Sequence, residues 1–300
     1  MEVLVTGANG FIGSHMVKYL EARGDTVRPL TREVADLRKY DALPDLFRGV
    51  DQVYHFAANI GGVGYLSKEN YYPFIDNMTA DLNVLKACEE VGVQRLFYSS
   101  SVCAYPIDTQ GDSSNVPAFS EDQLVPANSD QMYGWEKLMI TLLAKHSPLD
   151  VRVGILNTIF GEGQDWEGDR AKFPPAITKK VIESKRTGEP IKIWGDGTQV
   201  RTFLYVDDAI GKIHEVMNTP GYWGEVNIAN AEAATVKQCA DWLCEIAEIE
   251  SNYVFELDKP TGPMARGVDN TKFESHYNYR NRFTTKQGFE RLYKWMEPQI

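Results

Sequence analysis

Cysteine is scarce in this sequence, which has only four among 300 residues: Cys88, Cys103, Cys239 and Cys244. Cysteines so few and so widely spread do not form a disulfide framework. Cys239 and Cys244 are close together on a helical pattern, but no histidine or second cysteine pair completes a zinc site. We therefore exclude a disulfide-rich secreted protein, expect no metal site, and predict a reducing, cytoplasmic compartment.

Long apolar runs and a basic surface are also missing. No segment reaches the ~20 consecutive apolar residues that a membrane-spanning helix needs, and the strand-like run at 1–5 predicts that there is no signal peptide. The formal net charge is −11 and the basic residues are scattered, which argues against nucleic acids or acidic membranes as partners. The composition, 43% apolar and 24% charged, is that of an ordinary globular protein.

Short strand-like runs alternate with amphipathic stretches over the first 160 residues. We predict strands over 2–6, 26–30, 52–56, 95–99 and 151–156, and helices over 12–22, 77–91 and 133–146. This alternation is typical of right-handed βαβ units. The sequence therefore predicts an α/β protein with a Rossmann-type, doubly wound parallel sheet that carries helices on both faces.

The pattern loosens after residue 160, where glycine, proline and tryptophan separate short elements. Two later pieces, 202–217 and 226–229, are apolar enough to rejoin the sheet. We expect a dinucleotide-binding domain formed by residues 1–160 and 198–230. A smaller, discontinuous C-terminal lobe for substrate binding would comprise residues 161–197 and 231–300.

A glycine-rich loop follows the first predicted strand, with the sequence TGANGFIG over residues 6–13. Gly7 can form the tight turn, Gly10 allows a pyrophosphate to approach the backbone, and Gly13 permits close packing of helix on strand. The helix that begins here also presents its positive end to phosphates. The loop predicts a dinucleotide site that includes Asn9, Phe11 and Ile12, with Ala57 after the third strand; the alternative is a glycine-rich turn without a ligand.

The end of the second strand bears on the choice between NAD and NADP. An acidic residue here would bind the ribose hydroxyls of NAD, but the sequence has Leu30, Thr31 and Arg32. Arg32 can instead meet the 2′-phosphate of NADP, or it is a solvated surface charge. Asp36, beside Leu37, can accept a hydrogen bond from the adenine amino group. The choice of cofactor stays open at this point.

A tyrosine and a lysine stand four residues apart in the third predicted helix, as Tyr133 and Lys137. This spacing puts both on one helix face. An ammonium group, together with a cationic nicotinamide, lowers the pKa of a tyrosine from its usual value near ~10. Such a tyrosine can remove an alcohol proton while a hydride leaves the same carbon. The hydroxyl-rich strand end at Ser100 and Ser101 makes the pattern more specific than the spacing alone.

Taken together, these motifs resemble the extended short-chain dehydrogenase/reductase family of nucleotide-sugar epimerases, dehydratases and reductases, from Thr6 to about Asn270. The resemblance implies that Ser101 holds a substrate oxygen, Tyr133 is the acid/base, and Lys137 orients the nicotinamide ribose. It also implies a nucleotide-sugar substrate, a tightly bound NAD or NADP that is recycled, and a homodimer. In this family the helices predicted over 77–91 and 133–146 pair across the dimer axis as a four-helix bundle.

Several segments resemble one branch of that family, the GDP-mannose 3,5-epimerases. They are AANIGGVG at 57–64, SSSVCAYP at 99–106, RAKFPPA at 170–176, IWGDGTQVRTF at 193–203 and ARGVDN at 265–270. Cys103 and Lys172 are the distinguishing pair, because ordinary 4-epimerases need neither. Arg32 instead favours a GDP-4-keto-6-deoxy-hexose 3,5-epimerase/4-reductase that consumes NADPH, but such an enzyme would carry a histidine where Lys172 stands. Another NDP-sugar epimerase or dehydratase and a non-catalytic dinucleotide sensor are further alternatives.

Inversion of a sugar carbon requires that its hydrogen become acidic. Oxidation at carbon 4 makes the protons on carbons 3 and 5 α to a ketone. By the resemblance, Cys103 is the base, since a thiol pKa near ~8.5 falls beside a positive charge, and Lys172 is the acid. Without the resemblance, a small buried apolar residue is the better interpretation of Cys103, and the alternative for Lys172 is a solvated loop lysine.

Contacts to the substrate are also implied by the resemblance. They are Gly62, Val63, Ser101, Asn157, Lys172, Lys180, Trp194, Arg201 and Arg266. Arg201 and Arg266 suit a diphosphate, because a guanidinium binds phosphate oxygens in pairs. For a single arginine the alternative is an exposed salt bridge, and for Trp194 it is packing between the lobes.

Overall fold

The computed structural model describes residues 1–222 and 224–300. Its strands are β1 (Glu2–Thr6), β2 (Thr26–Leu30), β3 (Gln52–His55), β4 (Arg95–Ser101), β5 (Ala118–Phe119), β6 (Asp150–Leu156), β7 (Thr158–Phe160), β8 (Ile191–Trp194), β9 (Val200–Tyr205), β10 (Val226–Ile228), β11 (Ala233–Thr235), β12 (Tyr253–Glu256) and β13 (Ala265–Val268). Its helices are α1 (Phe11–Ala22), α2 (Leu43–Phe47), α3 (Val63–Leu66), α4 (Tyr71–Val91), α5 (Gln131–Ala144), α6 (Phe173–Thr187), α7 (Val206–Asn218), α8 (Val236–Ala247), α9 (Thr271–His276) and α10 (Thr285–Met296). Within the described residues, no helix is both long and apolar enough to cross a membrane.

A six-stranded sheet in the order β10-β6-β4-β3-β1-β2 forms the centre of the molecule, and all its pairs are parallel. Along β1, Val3 and Val5 face one core cluster, while Leu4 faces another. A strand buried on both faces is apolar throughout, as the sequence shows. The predicted Rossmann-type parallel sheet is confirmed, with the five predicted strands in it.

Helices cover both faces of this sheet. Met16 on α1 and Ile210 on α7 pack into the first cluster, whereas Val84 on α4 and Ile140 on α5 pack into the second. In the sheet, β2 lies on one side of β1 and β3 lies on the other. The loops after β1 and β3 therefore lie at the switch point, where ligands bind in sheets of this kind.

A smaller sheet has the order β11-β9-β13-β5, in which β7 also pairs with β9; its strands come from the second half of the chain except β5. The expectation that 202–217 rejoins the large sheet is wrong for its strand: Val200–Tyr205 lies in the small sheet, and only 226–228 rejoins the large one. β9 is apolar because it is buried between neighbouring strands of the small sheet. A central strand of the large sheet is buried in the same way and has the same apolar pattern. The division into two lobes stays a proposal, with β9 better placed in the smaller lobe.

Asn227 on β10 joins the two sheets. Its amide nitrogen donates to the carbonyl oxygens of Phe119 and Asp269, both at 2.9 Å, and its amide oxygen accepts from the Tyr105 hydroxyl at 2.8 Å. Asn227 is fully buried. Because buried polar groups are costly when they lack partners, the bonds to Phe119 and Asp269 hold the small sheet against the edge strand of the large one, and the bond from Tyr105 fixes the Asn227 side chain.

We predict that Asn227→Ala lowers the free energy of unfolding by about 2–4 kcal/mol, because it removes three hydrogen bonds and takes the acceptor from the buried Tyr105 hydroxyl. Urea denaturation followed by circular dichroism measures this loss. The exposed Asn252 offers a matched control, and Asn252→Ala should change stability very little. Equal effects of the two substitutions would show that the link between the sheets is unimportant.

Candidate active site

The glycine loop forms a closely packed turn between β1 and α1. Gly7 has a φ of +65°, and a Cβ placed on it would lie 2.8 Å from the Ala57 nitrogen. A Cβ on Gly13 would lie 2.1 Å from the Gly7 carbonyl oxygen. Gly10 caps α1 with no side chain bonded to the first-turn amides, and no acidic residue lies in that turn. The loop therefore fits a pyrophosphate, whose oxygens can approach the open end of α1.

A cavity of about 440 Å³ extends from this loop along the ends of β1, β2 and β3. Of the residues predicted to bind the cofactor, it is lined by Gly7, Asn9, Gly10, Arg32, Asp36, Leu37 and Ala57. Phe11, Ile12 and Gly13 form the start of α1 behind the loop. The structure therefore brings seven of the predicted cofactor residues together around one cavity, whereas Tyr133 and Lys137 do not line it.

Sequence reasoning missed Arg38 at the rim of this cavity. Arg38 binds Asp36 through two hydrogen bonds of 2.9 and 2.7 Å and also binds Asp76 at 2.8 Å. The hydrogen bond from Arg38 lowers the pKa of Asp36 to about 2. Asp36 is therefore ionised and paired with Arg38. Arg32, at the same rim, is exposed to solvent. No sequence pattern marked Arg38, because its partner Asp76 lies far away along the chain.

The predicted catalytic residues meet where β4 ends. The Ser101 hydroxyl accepts a hydrogen bond of 3.2 Å from the Cys103 amide, which fixes the short turn Val102–Ala104. The Asp130 amide donates to the Cys103 carbonyl at 3.0 Å. A Cβ on Gly134 would lie 2.2 Å from that same carbonyl oxygen. Only glycine at this position allows α5 to pack so closely and bring Tyr133 beside Ser101 and Cys103.

Burial and charge act on the pKa of Tyr133 in opposite directions. Burial raises it well above its usual value, while the charge of Lys137 and a hydrogen bond from Ser101 lower it less. The Lys137 ammonium lies 5.9 Å from the centre of the Tyr133 ring. The ammonium alone therefore does not bring this pKa below its usual value, and a lowered value with a cationic nicotinamide in place stays a prediction.

Cys103 has an arginine partner that the sequence did not reveal. The Arg266 guanidinium donates to the Cys103 sulfur at 3.2 Å, to Asp130 at 2.8 Å and to Gln110 at 2.6 Å. This contact places a buried positive charge beside the sulfur. Arg266, which was expected to bind a diphosphate, thus contacts the predicted base. Gln110 and Asp130, which were missed, hold the guanidinium in place.

Lys172 stands immediately before α6 and is positioned by a backbone contact. A Cβ on Gly62 would lie 2.3 Å from the Ala171 carbonyl oxygen, and the Gly62 amide donates to the Arg170 carbonyl at 3.1 Å. Although Lys172 is an exposed residue, the protein around its ammonium lowers its pKa, and the charge of Cys103 acts in the opposite direction. Gly62, which was expected to contact the sugar, here sets the position of Lys172.

A second cavity of about 430 Å³ lies between α6 and the small sheet. Four predicted substrate residues line it: Val63, Lys180, Trp194 and Arg201. The Lys180 ammonium lies 5.7 Å from the centre of the Trp194 ring and donates to the carbonyl oxygen of Lys192.

Arg201 lies at the inner end of this second cavity. Its guanidinium donates to the carbonyl oxygens of Val200 and Pro263. Burial, followed by repulsion from Arg266, lowers the pKa of Arg201 to about 9. A buried guanidinium with a lowered pKa gains stability from any anion that enters beside it.

Asn157 lies outside this cavity. Its amide nitrogen donates to the Thr202 hydroxyl, and its amide oxygen accepts from the Thr158 amide at 2.7 Å. The side chain is buried and fully engaged with the protein. The structure therefore gives Asn157 an internal role in joining β7 to β9.

The model of the NAD dependent epimerase/dehydratase family matches residues 3–229. The chain belongs to this family. Its members are NAD(P)-dependent enzymes that act on nucleotide sugars, so the predicted family and cofactor class are confirmed. The motifs that carried the prediction, the glycine loop and the Tyr133–Lys137 pair, both lie inside the matched segment.

Curated members of the family include epimerases and reductases similar to this chain. GDP-mannose 3,5-epimerase 1 of Oryza sativa subsp. japonica is 29% identical, over all of this chain and 82% of that protein. GDP-L-fucose synthase of Escherichia coli (strain K12) is 27% identical, over 98% of this chain and 95% of that protein. The chain is thus similar to both kinds of nucleotide-sugar enzyme.

Solved structures of the family share the fold. A UDP-glucose 4-epimerase with UDP-glucose from Thermotoga maritima has a TM-score of 0.87 at 23% identity and covers all of this chain and 99% of its own. A GDP-L-fucose synthetase from Naegleria fowleri bound to NADP has a TM-score of 0.82 at 21% identity, over 99% and 93% of the two chains. At these identities the likeness establishes the fold.

We predict that a thiol-alkylating reagent modifies Cys103 before any other cysteine. Cys103 is partly exposed, whereas Cys88, Cys239 and Cys244 are buried, and burial raises the pKa of Cys88 and of Cys239. Peptide mass spectrometry after brief treatment of the folded protein measures the order. Cys103→Ala should abolish early labelling and Cys88→Ala should not; early labelling of Cys239 would contradict the described site.

Proposed function

We propose that the protein is a nucleotide-sugar 3,5-epimerase whose substrate is a GDP-hexose, GDP-mannose in the first place. The observation that supports the proposal is the setting of Cys103, whose sulfur accepts a hydrogen bond from Arg266 in the turn beside Ser101. The charge of Cys103 also acts on the pKa of Tyr133 and of Lys172, which suits a site that the three groups share. The similarity to a plant GDP-mannose 3,5-epimerase supports the same activity.

In the first step the substrate is oxidised at carbon 4. Ser101 donates a hydrogen bond to Tyr133 and is placed to hold the 4-oxygen, and Tyr133 takes the hydroxyl proton. When bound, the nicotinamide supplies the hydride acceptor and, while oxidised, a positive charge that opposes the raised pKa of Tyr133. Lys137 adds to that positive charge.

In the second step protons are exchanged at carbons 3 and 5, which are now α to a ketone. The Cys103 thiolate, held by Arg266, takes a proton from one face of the sugar to form S–H. Lys172 delivers a proton from its ammonium to the opposite face, which its lowered pKa favours. Re-reduction at carbon 4 then restores the alcohol, so that no cofactor is consumed.

The cavity lined by Arg201 and Trp194 is our candidate for the nucleotide end of the substrate. Arg201 has a lowered pKa and donates to backbone carbonyls. A diphosphate beside it would stabilise the charged form of the guanidinium, which burial destabilises. The Trp194 side chain is 38% exposed and lies beside the Lys180 ammonium, so a nucleotide base can stack on the face of its ring. These contacts suit a nucleoside diphosphate without specifying its base.

A second candidate is a 4-keto-6-deoxy-hexose 3,5-epimerase/4-reductase that consumes NADPH. Arg32, exposed at the rim of the cofactor cavity with no acidic residue at the end of β2, favours a 2′-phosphate. The similarity to GDP-L-fucose synthase favours it as well. Lys172 speaks against it, by the resemblance described from the sequence.

We predict that the purified protein exchanges the protons on carbons 3 and 5 of GDP-mannose in deuterated buffer without added nicotinamide. Proton NMR measures the loss of these signals and the appearance of new isomers. Cys103→Ala and Lys172→Met should each slow exchange at least about a hundredfold, the usual size of an acid/base contribution. Cys88→Ala and Lys145→Met, which lie in the core and at a surface ion pair with Glu225, should not.

Three outcomes of this experiment are distinct. Exchange that needs Cys103 and Lys172 supports the epimerase. No exchange from a sample whose absorbance shows a full load of cofactor, together with turnover of a 4-keto-6-deoxy sugar and NADPH, would favour the reductase instead. Exchange that neither substitution slows would show that Cys103 is not the base and that Lys172 is not the acid.

We also propose that α4 and α5 form the interface of a homodimer. Leu85 and Leu138 from the two predicted apolar stripes are buried in the core, but Leu82, Met139 and Leu143 on the same helices are 43–50% exposed. An apolar patch shared by two adjacent helices suits a four-helix bundle with a second copy.

We predict that Met139→Glu converts the dimer to a monomer at micromolar concentration, because a carboxylate would be buried in an apolar interface. Light scattering after gel filtration measures the mass. Val254→Glu, which changes an equally exposed apolar residue on β12, is the matched control and should leave the mass unchanged. A monomeric unmodified protein would refute the interface.

A further inference from the structure

A cluster of ionisable side chains without an assigned role is buried around Lys137. His55 on β3, Asp81 on α4, Tyr98 on β4 and Glu136 on α5 are each at most 2% exposed. Lys137 itself is 2% exposed and lies 3.2 Å from Glu136 and 3.7 Å from Asp81. Charges buried together in this way must balance, so the protonation state of each member can be derived from its hydrogen bonds.

His55 is the neutral member of the cluster. The Thr6 hydroxyl oxygen accepts from the amides of Phe56 and Ala57, each at 3.2 Å, so its own proton points to His55 Nδ1 at 2.6 Å. Nδ1 is therefore an acceptor, and the ring proton lies on Nε2, which donates to Asp81 at 2.8 Å. An imidazolium would need the Thr6 oxygen to accept a third hydrogen bond.

The Tyr98 hydroxyl lies between the two carboxyl groups. Its oxygen is 2.9 Å from Asp81 Oδ2 and 2.9 Å from Glu136 Oε1, and it accepts from the Lys137 ammonium at 3.1 Å. One hydroxyl proton can serve only one carboxylate. If both acids were ionised, the Tyr98 oxygen and one of the two carboxylate oxygens would face each other without a proton between them. One of the two acids must therefore carry a proton and donate it to Tyr98.

Glu136 is the acid that carries this proton. Asp81 also accepts from His55 at 2.8 Å, whereas the second oxygen of Glu136 has only a long contact of 3.3 Å with the Asn77 amide. Burial raises the pKa of Glu136. Although burial also acts on Asp81, the charge of Lys137 and the hydrogen bond from His55 hold the pKa of Asp81 below its usual range.

We propose that Glu136 is a positioning residue that stays protonated at neutral pH and donates to Tyr98, so that Asp81 alone balances the Lys137 ammonium. The groups that face Glu136 are Asp81 and Asn77 from α4, Tyr98 from β4, and Lys137 and Tyr133 from α5 itself, with His55 of β3 behind Asp81. The protonation state follows from these contacts alone. Its effect on turnover rests on the proposed function of Tyr133 and Lys137.

Ionisation of Glu136 would add a second negative charge next to Lys137. That charge raises the pKa of Tyr133 further and draws the ammonium toward the carboxylates. Below its pKa, Glu136 is neutral and oxidation at carbon 4 should proceed. The rate of oxidation should fall as the pH rises through that pKa. The fall should approach tenfold per pH unit, as expected for one ionisation. Glu136→Gln, which cannot ionise, should remove this fall while keeping a donor to Tyr98.

Infrared spectroscopy of the whole protein, as purified with its cofactor, tests the protonation state without any substrate. A protonated carboxyl group has a carbonyl stretch that is distinct from a carboxylate and shifts in deuterated buffer. We expect this band to persist at pH 7, where solvent-exposed acids are ionised, and to disappear in Glu136→Gln. Glu121→Gln is the matched control, because Glu121 is a buried acid on another element, and it should keep the band.

The dependence of kcat on pH provides the second measurement. The alkaline fall should be present in the unmodified protein and in Glu121→Gln and absent from Glu136→Gln; an alkaline fall retained by Glu136→Gln would overturn the positioning role. Absence of the band from the unmodified protein at pH 7, or its loss only in Glu121→Gln, would overturn the protonation state even where Glu136→Gln does not fold. A protein that shows the band but turns over neither candidate sugar would contradict only the proposed function.

Discussion

The close contact between α5 and the turn that follows β4 is the constraint on which the site depends. Gly134 lies so near the Cys103 carbonyl that any side chain there would clash, and the Asp130 amide ties the same carbonyl to the start of the helix. This contact sets the distance between the tyrosine and the strand end. It also sets the depth at which Lys137 is buried, and with it the need for Asp81 to balance the ammonium.

The fold could be predicted well from the sequence because local signals carried it. Alternating apolar runs marked β1 to β4 and β6, and the glycine loop marked the switch point. β9 was misplaced because burial in either sheet leaves the same apolar pattern. At the site, spacing identified Tyr133 and Lys137. The resemblance pointed to Arg266 as a substrate contact, but nothing in the local sequence reveals that it bonds to Cys103, because the two residues are far apart along the chain.

The charge of the site contrasts with that of the whole chain. The protein is strongly acidic, with a net charge of −11, yet Arg201, Arg266 and Lys172 carry positive charge around the predicted base. Burial opposes the charge of all three. Of these, only Arg266 forms a salt bridge among the described residues, with Asp130, so the site holds more cationic charge than the protein around it balances. This is an arrangement suited to an anionic ligand and a thiolate.

The partners of Cys103 come from a different part of the fold than the residues for oxidation. Ser101, Tyr133 and Lys137 belong to β4 and α5 at the large sheet, whereas Arg266 lies on β13 of the small sheet and Lys172 precedes α6. In the proposed mechanism, the residues assigned to oxidation and the cationic groups assigned to proton exchange are thus carried by different parts of the fold. Substitutions confined to the small sheet and the start of α6 can therefore alter proton exchange while Ser101, Tyr133 and Lys137 keep their positions.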